Sequence, residues 1–197
     1  MIAYVTGKLT QKLPTYVIIE TGGIGYHLHI SLVTYSALPD IGTLGVNLFT
    51  VLHIKEDAHT LYGFATQVER NLFQHLVSVS GIGPSTGRMI LSSMNPEEIQ
   101  EAIIKGDVVQ MQKIKGIGSK SAQRIILELQ DKLKKEGSEG LFSVKTNNTA
   151  REEALIALVT LGFLKASAEK ALEKVFSSPE NAGFTVDILI KLALKNL

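Results

Sequence analysis

Along residues 1–64, apolar and polar positions alternate in short runs at 2–9, 16–21, 25–30, 46–54 and 60–64. A period of two marks strands with one covered and one wet face. Gly22-Gly23 reads as a turn between the second and third runs, and residues 32–38 suggest a short helix. Five short strands with a brief helix among them predict a small closed or half-closed β-barrel, with an OB-fold the leading candidate. From Thr66 the period becomes helical. Val68, Leu72, Phe73 and Leu76 share one side of the first helix, and a second covers about 84–93. Asn95-Pro96-Glu97-Glu98 supplies a cap, a proline at the first helical position and a glutamate at the third. Asp107 caps a further short helix, and the last helix of this stretch buries Ala122, Ile125, Ile126, Leu129 and Leu133.

Residues 137–149 lack periodicity and include Gly137, Ser138, Gly140, Asn147 and Asn148, the composition of a flexible linker. Three helices are expected beyond it, near 150–161, 165–176 and 185–197. Leu155, Leu158, Val159 and Gly162 form one packing stripe, Ala168, Ala171, Leu172 and Val175 the next, and Val186, Leu189, Ile190 and Ala193 the third. Ile188 and Leu192 point the other way by helical spacing, which suits contact with a partner. The expected domains are therefore 1–64, 65–136 and 150–197, with the linker at 137–149.

Two segments of the central stretch are near-copies. Val79-Ser80-Gly81-Ile82-Gly83-Pro84 and Ile114-Lys115-Gly116-Ile117-Gly118-Ser119 stand 35 residues apart, each between two helical patterns. Glycines there reach angles that a Cβ forbids, so bare backbone can approach a ligand. Amides at the mouth of the following helix, with the positive end of its dipole, attract an anion. Two such bends offer two phosphate seats, which suits a polyphosphate backbone. Gly81, Gly83 and Ser85 are the candidate contacts of the first copy. Lys115, Gly116, Gly118, Lys120, Ser121 and Arg124 are those of the second. Neither copy has the spacing or the preceding strand of a P-loop or a dinucleotide fingerprint, so no nucleotide cofactor is expected.

Charge supports DNA only through its placement. The chain has 20 Lys/Arg against 19 Asp/Glu, a net charge of +1. Residues 1–64 carry three against four, 65–136 ten against eight, and 150–197 six against six, so the repeated bends lie in the most basic stretch. Absence of cysteine excludes disulfides and thiolate metal sites; with no export pattern, a reducing cytoplasm is expected. His27 and His29 are two apart on a strand, and His53 and His59 flank an acidic turn, but they lack the spacing of a metal site.

That turn, Ile54-Lys55-Glu56-Asp57-Ala58-His59, is odd company for a DNA binder, because its carboxylates repel phosphate. Two adjacent acids could also be ordinary solvated charge, or hold Mg²⁺ for a nuclease. A single-strand binder that stacks bases on barrel aromatics is a further alternative.

Taken together, the chain resembles the RuvA family of bacterial Holliday-junction-binding subunits. The likeness is carried by Met1-Ile2-Ala3-Tyr4-Val5-Thr6-Gly7, Gly22-Gly23-Ile24-Gly25-Tyr26, Glu56-Asp57-Ala58 with Leu61-Tyr62-Gly63-Phe64, both bends, the linker, and Leu158 with Leu161-Gly162-Phe163. The resemblance implies an OB-fold first domain, a tandem helix-hairpin-helix second domain and a mobile three-helix, UBA-like third domain. It implies a homotetramer, one or two per four-way junction, that holds the junction open and flat without catalysis, cofactor or membrane. Glu56 and Asp57 match the family's acidic pin at the crossover, with Lys55 beside it for a nearby phosphate. One like-charge pair at 10 Å in water is worth only about 0.4 kcal/mol, so the pin acts collectively. The implied partners are the RuvB ATPase, here assigned to Ile188 and Leu192 by helical spacing, and the RuvC resolvase. The chain departs from many relatives at Ser85, where they carry lysine after the proline.

Overall fold

A computed structural model describes residues 2–141, 149–176 and 184–197. The chain divides into two compact units, Met1–Gly137 and Ser138–Leu197.

The first unit begins with β1 (Tyr4–Leu13), β2 (Tyr16–Thr21), β3 (Ile24–His29), β4 (Val46–Ile54) and β5 (His59–Phe64), closed into a barrel in the order β1-β2-β3-β5-β4. Ladders are antiparallel except β3–β5, which run parallel at His29–Tyr62, the OB arrangement expected from the alternating runs. Val5, Leu9, Val17, Ile19, Leu28, Ile30, Leu48 and Leu61 fill its interior. β1 runs four residues past the end that the alternation predicts at position 9. Lys12 pairs with Val17 and Leu13 with Tyr16 across the turn, after a register shift near Leu9 and Gln11. Polar side chains on the outer face hide that extension from a hydrophobicity pattern.

Helix α1 (Leu32–Ala37) lies between β3 and β4, and α2 (Gln67–Ser78), α3 (Pro84–Ser93), α4 (Pro96–Lys105), α5 (Val108–Gln112) and α6 (Ser119–Leu141) follow β5. Side-chain caps start α2, α5 and α4, whereas α3 starts at Gly83 with no side-chain cap bond. Thr66 Oγ1 accepts from Glu69 N at 3.2 Å, Asp107 Oδ1 from Gln110 N at 2.9 Å, and Glu98 Oε2 from Asn95 N at 3.1 Å. Leu72, Phe73, Leu76, Ile90, Leu91, Ile99, Ile103, Ile125 and Leu129 make the helical core. Val68 is not in it: it is 44% exposed, and its neighbour Glu69 is buried instead. α6 continues to Leu141, into the residues assigned to the linker. Gly137 and Gly140 each cost about 1 kcal/mol there, too little to stop a helix already nucleated over many turns. The remainder of that linker, 142–148, lies outside the described residues.

The second unit is a three-helix bundle of α7 (Thr149–Thr160), α8 (Lys165–Phe176) and α9 (Val186–Leu194). Ala168, Ala171, Leu172, Val175, Leu189 and Ala193 are buried as their spacing predicts. On α7 the buried pair is Ala154 and Leu158, with Leu155 half-buried and Val159 exposed. The bundle is narrow enough that a small alanine takes the central position, rotating the covered stripe away from Val159. Among the described residues, no helix is long and apolar enough to cross a membrane.

Barrel and helices of the first unit join along β5. Alternation sends Leu61 into the barrel, while Tyr62 and Phe64 enter the helical core and stack near Phe73 at 5.1 and 4.8 Å between centroids. Beside them lies a buried polar knot. Glu69, 1% exposed, accepts from Ser31 Oγ and, at 2.6 Å, from Thr34 Oγ1. Ser31 Oγ in turn accepts from Thr34 N at 2.9 Å, and Thr34 Oγ1 from Ala65 N at 3.0 Å. Each hydroxyl receives a backbone N–H and hands its own proton to the carboxylate, so α1, the β5–α2 junction and α2 are tied through one side chain. Burial pushes the Glu69 carboxyl above the usual glutamate range, and the two hydroxyls pull it back in part. Glu69→Ala leaves two buried hydroxyls without their acceptor, and a loss of about 2–4 kcal/mol is expected in denaturant unfolding of the full chain. With the folded-state value raised, the carboxyl's titration favours the fold at acid pH. The gap between wild type and variant should narrow as pH climbs through that raised value.

Candidate nucleic-acid interface

The two bends are the same object built twice. Val79 N donates to Leu76 O at 3.2 Å and Ile82 N to Val79 O at 3.0 Å; 35 residues on, Ile114 N donates to Met111 O at 3.3 Å and Ile117 N to Ile114 O at 3.0 Å. Gly87 N reaches Gly83 O and Ala122 N reaches Gly118 O, both at 2.9 Å, opening α3 and α6. Gly81 and Gly116 stand at φ +86° and +85°, the left-handed region where a side chain is strained. Behind the bends Val79, Ile82, Ile90 and Leu91 are buried, as are Ile114, Ile117, Ile125 and Ile126. The apolar half of each repeat anchors it, and the glycine half faces outward: Gly81, Gly83, Gly116 and Gly118 are exposed.

Amides that precede the first helical bond are the donors an anion would meet. In the first copy these are Ser85 and Thr86, since Pro84 has no N–H. In the second they are Ser119, Lys120 and Ser121. Lys115, Lys120 and Ser85 are exposed, and Ser121 is half-buried at the same helix start. Arg124, expected at the second bend, also reaches the first. Its Nη1 donates to Ser80 O of the first bend at 3.1 Å and would lie 3.6 Å from a Cβ at Gly81. Reciprocally, Met89 on α3 lies against Gly116, where a Cβ would meet its Cε at 2.9 Å. Met89 and Arg124 are themselves 35 apart, so each repeat covers the other's glycine with the same position.

Glu56 and Asp57 sit exposed at the tip of the β4–β5 hairpin, closed by Lys55 N donating to Ala58 O at 2.8 Å. Lys55 is exposed beside them, and His59 pairs with Ile54 at the root of the tip. His27 and His29 do share a barrel face, with ring centroids 4.9 Å apart and Tyr16 stacked on His27 at 4.3 Å. Burial, then Arg88 and His27, holds His29 below the usual imidazole value. Arg88 Nη1 donates to Thr15 O at 2.9 Å and lies 3.3 Å from His29 Nδ1. Among the described residues, no three His, Asp or Glu side chains gather as a metal site.

In the second unit Ile188 is 38% exposed, whereas Leu192 is half-buried and packs on the bundle core. Ile156, Leu161 and Leu164 are more open, at 66%, 63% and 78%. Sequence reasoning missed them because it followed α9; the run Leu161-Gly162-Phe163-Leu164, apolar beside a helix-ending glycine, was the available signal.

Residues 1–63 match the family model of the RuvA N-terminal domain, 73–131 that of the SAM-like helix-hairpin-helix tandem, and 149–197 that of the RuvA C-terminal domain. The chain is 53% identical over 201 residues to a Cytophaga hutchinsonii protein named Holliday junction branch migration complex subunit RuvA, covering 99% of each. Proteins of the same name from Christiangramia forsetii and Flavobacterium psychrophilum are each 50% identical, over 100% of both chains.

Alanine at Gly81 or Gly116 forces a left-handed side chain, so each variant is expected to lose about 1–2 kcal/mol in chemical denaturation. Gly116→Ala should lose the more, because Met89 must also shift its terminal methyl.

Proposed function

The chain belongs to the RuvA family, and from that membership we propose how its residues grip a four-way DNA junction. It is a non-catalytic DNA-binding subunit of the Holliday-junction branch migration complex. The observation that carries the mechanism is the duplicated bend, with matched hydrogen bonds and both glycine faces exposed. Each bend seats a phosphate on its helix-start amides, and Lys115, Lys120, Ser121 and Arg124 add side-chain contacts. These contacts go to the backbone, so they read the presence and path of duplex arms and not their sequence.

Glu56 and Asp57 supply the shape discrimination. At the tip of an exposed hairpin they repel phosphates and disfavour uninterrupted duplex across the hub, while Lys55 holds a flanking phosphate. Each homotetramer, one or two per junction, brings eight such carboxylates to the crossover. The subunit works with DNA in the bacterial cytoplasm. Residues 1–64 form the pin-bearing barrel and 65–136 the phosphate-gripping hairpins. Residues 150–197 engage the RuvB ATPase through Ile188 and Leu192, and RuvC resolvase acts on the same junction. The ranges of the three family models support this division.

Binding to a labelled synthetic four-way junction and to linear duplex of equal length, with Mg²⁺ present, tests the scheme. Wild type should prefer the junction and leave it uncut. Combining Glu56→Gln with Asp57→Asn should lower that preference by about tenfold, or about 1.4 kcal/mol. Equal affinity for both DNAs in wild type, or nicks that vanish in Asp57→Asn, would overturn the scheme. For the partner surface, Ile188→Ser is the cleaner probe because Leu192 also supports the bundle. It should weaken RuvB binding by about tenfold with the unfolding midpoint unchanged.

A further inference from the structure

The two phosphate seats are unequally furnished. Between Val79 and Gly87 the first hairpin contains no lysine or arginine, and Pro84 removes one of its helix-start amides. The next cation on α3, Arg88, is turned to the Thr15 carbonyl at 2.9 Å and to His29 at 3.3 Å. The second hairpin has Lys115 and Lys120, both exposed, and one amide more. By charge alone the first seat would be the poorer by far.

Arg124 changes that balance. It is exposed and belongs to α6 by sequence, yet its Nη1 donates to Ser80 O at 3.1 Å in the opposite hairpin. A guanidinium carries five N–H donors in a rigid fork, and the Ser80 bond employs one of them. Resting on the reading of the bends as phosphate seats, we propose that Arg124 is the cation of the first seat, supplied across the repeat by the second hairpin. The Ser80 carbonyl aims the fork beside Gly81, and the remaining donors meet a phosphate held on the Ser85 and Thr86 amides. Lys115 and Lys120 then serve the second seat. The arrangement makes Ser85 tolerable: the position that follows the proline need not bring a charge when one arrives from α6. It also couples the seats, since the arm that carries one seat's cation begins at the other.

The test is a rescue experiment on the full-length chain with a synthetic four-way junction, titrated over a series of salt concentrations. Arg124→Ala should weaken binding by about fivefold to tenfold and lower the log–log salt slope by about 0.9, the loss of one phosphate contact. Ser85→Lys places a cation at the first seat directly. It should restore affinity and slope in the Arg124→Ala background, and its gain there should be about fivefold larger than in Lys120→Ala, where the deficit lies at the other seat. An equal gain in both backgrounds, or Arg124→Ala binding like wild type while Lys115→Ala and Lys120→Ala weaken, would overturn the assignment. If all three alanine variants bind like wild type, the phosphate-seat reading itself fails. A purely structural role for Arg124 predicts a lower unfolding midpoint and no rescue by Ser85→Lys, which also refutes the proposal.

Discussion

Strand β5 is needed by two cores at once, and the unit Met1–Gly137 depends on that sharing. Its inward residue Leu61 completes the barrel, and its outward residues Tyr62 and Phe64 are walls of the helical core. A strand covered on both faces cannot slip by one residue, because every side chain would land in the wrong compartment. Polar ties reinforce the same seam: Glu69 to Ser31 and Thr34, Arg70 Nε to Thr50 O at 2.9 Å, and Leu32 N to Ser92 Oγ at 3.1 Å. Barrel and hairpins are thus held together by interlocked side chains as well as by chain continuity. The acidic tip, which grows from β4 and β5, is set on the same strand that anchors the hairpin helices.

Electrostatics in this chain works by placement. A net charge of +1 offers almost no long-range attraction to a polyanion. In the function proposed above, attraction comes instead from amides at helix starts, which carry no formal charge and escape any count of lysines. The proposed point of repulsion is the exposed tip where Glu56 and Asp57 stand side by side. On that proposal, attraction at two points and repulsion at a third would discriminate among DNA shapes without strong binding to DNA in general.

Periodicity made the elements legible. The barrel strands, the short helix before β4 and the three C-terminal helices are visible in the spacing of apolar residues, and the two bends in their repeated Gly-Ile-Gly. What escaped has physical causes. Glu69 was hidden because a carboxylate reads as surface, so Val68 was assigned to the core in its place. No hydropathy pattern announces that two neighbouring hydroxyls will satisfy a buried acid. The covering of β5 on both faces could have been suspected from Leu61-Tyr62-Gly63-Phe64, a run without a charged residue. Ala154 displaced Val159 from the bundle core because close helix contact favours the smaller side chain. The bond from Arg124 to Ser80 escapes the sequence because adjacency carries no information about a neighbour reached across a fold.

The exchange of cover between the repeats, with Met89 over Gly116 and Arg124 beside Gly81, bears on engineering. A protein designer who lifts one helix–bend–helix out as a cassette takes a loop that has lost its lid and leaves behind another in the same condition. The smallest transplantable piece is the pair, some sixty residues counted from α2 through the opening turns of α6.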